Sequence, residues 1–436
     1  MIERRDLLRQ GLLLGALGLG GPALAATKAD TGASPAAPGL DSWDGVRAQF
    51  PLTPGYAHMA GFYLAAHPAP VRAAIDDLRR GLDTDAYLYF EAHSRALETA
   101  THQSIASYLG GDLSEIVLTG STTAGLALLF GGLQLVPGQE ILTTTHDHYS
   151  CAESLRMSAL RSGATIRRVA LHDGAERATV ESMVAALKGG LTPKTRIVAV
   201  TWVHSSTGLK LPIRAFADML AEANRGRDEK DRALLCVDGV HGVGVDGETV
   251  AELGCDFLVS GCHKWLYGPR GTGFIWGRKE LWAWTQPVIP SFSSAMGNWV
   301  MGLPPPSPNT ATFMTPGGFH AFEHRWAIPA AVKMHQDIGK ARVGARIHAL
   351  NRQLKESLAT MSHVTLHTPL QDELSAGIVS FDVHGLTAAQ AVERLLAQKV
   401  VGSVAPYANP QARLSANLAN SPEDIETALR AVRSLA

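Results

Sequence analysis

Between residues 112 and 300, short β-branched runs alternate with helix-like stretches, and few folds satisfy that order. IVLTG (116–120), EILTTT (140–145), TIRRVAL (165–171), TRIVAVTWV (195–203), ALLCVDG (233–239) and DFLVSG (256–261) read as strands. Patterns such as TTAGLALLFGGL and AFADMLAEANR fall between several of them. Strands separated by helices pair in parallel, through crossovers that cover both faces of one sheet. Such a sheet collects ligands at the carboxyl ends of its strands. After residue 320 the pattern changes. A long helical stretch over 327–361 leads into VTLHTPL, AGIVSFDV and VVGSVAPY as strands, with helices at LTAAQAVERLLAQ and SPEDIETALRAVRSL. The expected architecture is α/β, with a large domain over 42–310 on a mostly parallel sheet and a smaller α+β domain over 311–436. A chain of 436 residues is long enough for both.

The chemistry gathers behind two of these strands. ALLCVDG ends in Asp238, as a buried strand does when it delivers a carboxylate to a site. SGCHKWLYGPRGTGF (260–274) places Lys264 between His263 and Trp265, then enters a Gly/Pro-rich segment that cannot be regular helix. This pair suits pyridoxal phosphate (PLP). The lysine forms a Schiff base with the aldehyde, and the acid pairs with the pyridinium nitrogen so that the ring acts as an electron sink. Taken singly, the lysine would be a solvated surface residue and the Asp–Gly a turn. Together, Asp238, His241, His263 and Lys264 resemble the class V aminotransferase family of fold-type I PLP enzymes. The HKW form of the lysine motif is similar to the isopenicillin N epimerase-like branch.

That resemblance implies a seven-stranded type of sheet between helices, and it assigns further residues. GSTTAGLALL (120–129) follows a strand and opens a helix, so Ser121, Thr122 and Thr123 would hold the cofactor phosphate. Ser260 and His263 would add contacts from the other side. HDHYS (146–150) lies where the family stacks a histidine on the cofactor. The usual pair is adjacent, whereas Asp147 here separates His146 from His148. His146 is the expected ring, with Tyr149 as the alternative; Lys264, Asp238 and His146 make up the expected catalytic set. His241 would approach the phenolic oxygen, with Ser205 or Ser206 of WVHSSTG in place of an asparagine. Gly318 belongs to a segment that crosses to the partner's phosphate in family dimers, which implies a homodimer with shared active sites. Gly61 is expected near the substrate entrance. Arg413, in ARLSANLANS, would grip a substrate carboxylate through a planar bidentate contact.

The implied substrate is an amino acid or an amino-acid-derived metabolite, such as a siderophore or peptide. The expected reaction is of aminotransferase type. Epimerase, lyase or decarboxylating activity is the alternative, followed by a non-catalytic binding protein on the same scaffold. KVVGSVAPYANPQ (399–411) lacks the cysteine that desulfurases of the family place upstream of the arginine, which speaks against persulfide chemistry.

The N-terminus carries an address. Arg4 and Arg5 precede GLLLGALGLGGPALAA, with Ala23 and Ala25 placed before a cut. The run is shorter than the roughly 20 residues that span a bilayer. It resembles a twin-arginine export signal over 1–25, followed by a flexible linker over 26–41. A periplasmic protein with no stable membrane anchor after cleavage is the expectation. Net charge is −1 and the basic residues are scattered, so no nucleic-acid partner is expected. The four cysteines make neither a disulfide framework nor a zinc pattern, and are expected as small core residues.

Overall fold

Past the short strand β1 (Ala57–His58), the computed structural model, which describes residues 39–436, gathers seven runs into one sheet. The export signal expected over 1–25 and nearly all of the 26–41 linker lie outside the described residues. The strands are β2 (Ile116–Thr119), β3 (Glu140–Thr144), β4 (Thr165–Val169), β5 (Thr195–Thr201), β6 (Leu234–Asp238), β7 (Phe257–Gly261) and β8 (Gly273–Gly277). Their order across the sheet is β2-β8-β7-β6-β5-β3-β4. β3 through β7 pair in parallel, whereas β8 runs antiparallel to both β2 and β7. Strands β5, β6 and β7 are buried at every position, which is why they read as unbroken apolar runs rather than alternating ones. β8 has no counterpart among the strands expected from sequence. GFIWG is five residues long and bounded by glycine at both ends, so it resembles loop.

A second sheet uses β9 (Val364–Leu366), β10 (Val379–Val383), β12 (Ser403–Val404) and β13 (Ala412–Leu414), all antiparallel in the order β12-β13-β10-β9. β11 (Val400–Val401) pairs instead with β1, in parallel. The core beneath this sheet joins Leu350, Leu354, Phe381, Leu414 and Ile425 with Met59 from the start of the chain. The helical stretch expected over 327–361 is two helices, Ile328–Ile338 and Lys340–Ala359. Gly339, at φ +94°, breaks it, because that backbone conformation cannot continue an α-helix. The first of the two packs on Ala69–Thr84 and Ala86–Leu109; the second covers the small sheet's core. No helix among the described residues is long and apolar enough to cross a membrane.

The loop after β5 ties the two sheets together. Val203 bridges Lys210, and Leu209 bridges Ser375. The turn closes at Gly208, where φ is +74° and an added Cβ would sit 2.1 Å from the Ile378 carbonyl oxygen. Gly208→Ala is therefore expected to cost on the order of 3 kcal/mol, part from the left-handed backbone and part from displacing Ile378. A lowered urea midpoint with an unchanged slope would show it.

Candidate active site

A cavity of about 250 Å³ opens where β2, β5, β6 and β7 end, so the site residues sit at the carboxyl ends of the strands. Three groups of side chains line it.

The first is the mouth of the helix Thr122–Gly132. Ser121 caps it, its Oγ accepting from the Ala124 N–H at 3.1 Å. Ser121, Thr122 and Thr123 all line the cavity, and the Thr122 hydroxyl is buried without a hydrogen-bond partner. Gly261 leaves this end open. A Cβ there would lie 2.8 Å from the His263 ring and 2.9 Å from Thr122 Oγ1. Unfilled hydroxyl capacity at a helix N-terminus is a place for an oxyanion. His263 lines the same end, with burial foremost and the Lys264 charge next holding its pKa down to about 4, so it is neutral. Ser260 lies behind the wall, fully buried, its hydroxyl donating to the Gly261 carbonyl at 3.1 Å.

The second group is the acid and the amine. Asp238 is 3% exposed and accepts from the Val240 N–H at 3.2 Å. Burial raises its pKa to about 6, against the Val240 hydrogen bond and the charge of Lys264. Such a carboxylate lacks a close cation, which a protonated ring nitrogen would supply. Lys264 is half-buried, with Nζ 3.0 Å from His241 Nε2. Burial brings its pKa down to about 8; Asp238 pulls it up and Arg413 pushes it further down. About a tenth of the amine is thus free at pH 7, and half of it near pH 8. Behind it, Trp265, Leu266 and Tyr267 are sealed in the core, and the Leu418 N–H donates to the Tyr267 hydroxyl at 3.1 Å.

The third group faces the substrate side. Arg413 is 2% exposed on β13, with its guanidinium 4.9 Å from the centre of the Phe62 ring. Nη1 donates to the Ser205 carbonyl at 2.6 Å and Nη2 to the Val404 carbonyl at 3.0 Å, while Nε is buried without a partner. Among the described residues it forms no ion pair. Burial lowers its pKa to about 10, so it remains a cation without a carboxylate. Ser205 lines the cavity, its Oγ 2.6 Å from the Tyr407 hydroxyl.

The histidine segment is arranged differently from the expectation. Asp147 is a hub: Oδ2 accepts from Thr143 Oγ1, Thr144 N and Thr144 Oγ1, and Oδ1 accepts from Thr201 Oγ1, all within 2.7–2.9 Å. The chain turns around this carboxylate and sends its neighbours apart. His146 leaves the cavity and stacks on His172 at 4.0 Å, taking the Leu171 N–H on Nε2. His148 lines the cavity instead, its Nδ1 paired with Ser150 Oγ at 2.8 Å. Tyr149 is 74% exposed and does not line it.

Gly61 stops one residue short. It packs on Asn417, and its neighbours Phe62 and Tyr63 form the wall. Gly318, at φ +96°, lines a separate depression beside Phe319 and His320. Phe62 and Tyr63, the neighbours of Gly61, line the cavity, and His148 takes the place expected of His146; Thr201 and Pro406 line it without having been singled out from sequence, and Tyr407 joins them through Ser205. All four cysteines are free and buried, and burial pushes the thiol nearest the lysine, Cys262, up to about 12. None lines the cavity.

Larger hollows exist, of about 450 Å³ beside Leu128 and Arg161, about 690 Å³ beside Trp299, about 450 Å³ beside Asp44 and Asp424 and about 470 Å³ beside Glu98, but none of these is lined by a lysine. No group of three or more His, Cys, Asp or Glu among the described residues is placed to hold a metal ion. The cavity's donor set fits pyridoxal phosphate: an open hydroxyl-lined helix end, a buried acid short of a cation, and a lysine with a free amine.

Comparison with known proteins gives the same outline. The family model described as aminotransferase class-V matches residues 86–404. Isopenicillin N epimerase of Streptomyces clavuligerus is 28% identical over 364 residues, which are 78% of this chain and 85% of that protein. A probable cysteine desulfurase of Halobacterium salinarum is 26% identical over 334 residues, covering 74% of this chain and 75% of its own. Among solved structures, a mutant of the lyase C-DES with glycine covalently linked to its PLP cofactor superposes with a TM-score of 0.80. It shares 21% identity and covers 89% of this chain and 98% of the other.

Proposed function

The chain belongs to the aminotransferase class-V family, and from that premise we propose that it moves the α-proton of an amino acid or amino-acid-derived metabolite, inverting the α-carbon. It is a PLP-dependent enzyme of that family. The observation that carries the reaction is a buried Arg413 without a carboxylate partner, sharing one cavity with the Lys264 amine. Bound PLP supplies an aldehyde that condenses with amines and a ring that takes up electron density from the substrate α-carbon.

The rest is done by this chain's residues. Ser121, Thr122 and Thr123 at the helix mouth bind the phosphate, and His263 flanks them. Asp238 holds the proton on the ring nitrogen. His148, rather than His146 or Tyr149, covers the ring, since it is the histidine of that segment that lines the cavity. Arg413 binds the substrate carboxylate, which fixes the α-carbon within reach of Lys264. Lys264 Nζ takes the α-proton from one face of the α-carbon, and inversion is completed when solvent, not the same amine, returns a proton to the opposite face.

One relative favours inversion, and a second observation argues against desulfuration. An epimerase stands among the relatives, matched over most of its length. No thiol lines the cavity, so the persulfide chemistry of desulfurases has no nucleophile. The Arg4–Arg5 segment supports export to the periplasm as part of this reading. The segment around Gly318 supports a homodimer.

The test is α-hydrogen exchange. The PLP-loaded protein is incubated in D₂O with L- and D-amino acids and with amino-acid-bearing peptides, with and without an oxo acid. Deuterium at the α-carbon with loss of optical purity and no oxo acid formed is the expected outcome. Stoichiometric amino transfer to the oxo acid would establish an aminotransferase instead. Absence of both exchange and transfer across the panel would overturn the reading.

A further inference from the structure

Trp265 does not line the cavity, and its side chain meets the site at His241. Its indole N–H donates to His241 Nδ1 at 3.2 Å, and both side chains are almost fully buried. An indole nitrogen can only donate, so Nδ1 must present its lone pair. A neutral imidazole carries one proton, which therefore resides on Nε2. The charged form would protonate Nδ1 and break the indole contact. Burial, with the charges of Lys264 and Arg413 next, holds His241 well below its usual pKa.

His241 Nε2 lies 3.0 Å from Lys264 Nζ. An Nε2–H can bond to that nitrogen only if the nitrogen offers a lone pair. An ammonium there would set N–H against N–H. We propose that Trp265 is a positioning residue: by fixing His241 as the Nε2–H form, it holds Lys264 as a free amine ready for an aldehyde. The indole is itself fixed. A Cβ on Gly377 would lie 2.5 Å from its ring, so the backbone there closes directly over it.

Other groups bear on the same pair. Lys264 is faced by Asp238, Arg413, His241, His148 and His263, and His241 by Lys264, Arg413, His148 and His263. None of them contributes a donor to His241 Nδ1, so the tautomer depends on Trp265 alone among these contacts.

The experiment uses the cofactor-free full chain. In ¹⁵N-histidine-labelled protein, with His241→Gln to assign the signal, His241 should show an unprotonated Nδ1 and a protonated Nε2. The titration of the Lys264 amine is then followed by competitive labelling with a small acylating reagent, in wild type and Trp265→Phe. Phenylalanine keeps the ring packing and removes the N–H. With Nδ1 released, the imidazole proton can move there, and Nε2 can accept from the ammonium. The Lys264 midpoint should rise by about one pH unit in Trp265→Phe, the worth of one hydrogen bond. A protonated Nδ1 in wild type, or the same midpoint in both proteins, would overturn the proposal. The proposal rests on Lys264 as the reacting lysine, yet neither readout needs PLP. Failure to bind PLP would therefore strike the functional reading and leave these two outcomes standing.

Discussion

Lys264→Ala is expected to lower α-hydrogen exchange by roughly 10³-fold or more, the scale of a positioned general base. In the proposed reaction the side chain takes the proton at the α-carbon, and no other lysine lines the cavity to replace it. The fold should survive, because the residue is half-buried and its nearest polar partner, His241, keeps the Trp265 contact. A second signature separates loss of chemistry from loss of binding. Borohydride should fix PLP onto wild type and not onto Lys264→Ala, while the variant still takes up PLP that dialysis removes. Capture of PLP by wild type should accelerate with pH and level off above about 8, since only the free amine attacks an aldehyde. Exchange within tenfold of wild type in Lys264→Ala would sink the assignment.

Asp238→Asn is expected to act in two directions. Asparagine carries no charge to hold a proton on the ring nitrogen, so exchange should fall by about 10²-fold or more, within the range of acid–base effects. The cofactor-free protein, however, should become more stable. Asp238 has its pKa raised by burial from 3.8 to about 6 in the folded state. A raised carboxyl favours folding below its unfolded pKa and loses that benefit as pH climbs through the folded one. Above pH 6 the wild type thus keeps a buried charge at a cost on the order of 3 kcal/mol, which asparagine removes while still accepting from Val240. Urea denaturation at pH 8 should show the gain, and at pH 4 most of it should vanish. Equal stability at pH 8 would mean that the carboxylate is better solvated than its position implies. A destabilising acid kept at this position is what the proposed reaction calls for.

The large sheet was legible because burial on both faces leaves an unmistakable signal in strands such as TRIVAVT and LLCVD. Asp238 and Lys264 were legible for the same reason, since each follows such a strand. What escaped depended on contacts between distant residues. The sequence HDH does not reveal that Asp147 gathers four hydrogen bonds from Thr143, Thr144 and Thr201 and so turns His148 inward. Tyr407 meets Ser205, and Phe62 meets Arg413, across separations that no local pattern encodes. The helix break at Gly339 was hidden because its flanks are both good helix formers.

The pairing of β1 with β11 has a temporal consequence. Tyr56 and Lys399, whose side chains meet at 3.1 Å beside that pairing, are 343 residues apart in the chain. The strip from β1 to Tyr63 supplies part of the cavity wall, and the segment from β11 to Arg413 supplies the part that adjoins it, with Arg413 against the Phe62 ring. A ribosome emits these parts first and last. The Asp238 and Lys264 side of the cavity can be in place while the other is still being made, and closing so long a loop comes late in any order of assembly. Completion of the cavity is thus an event of the completed polypeptide, and a chain cut short before β13 would present its lysine to the solvent without Arg413 beside it.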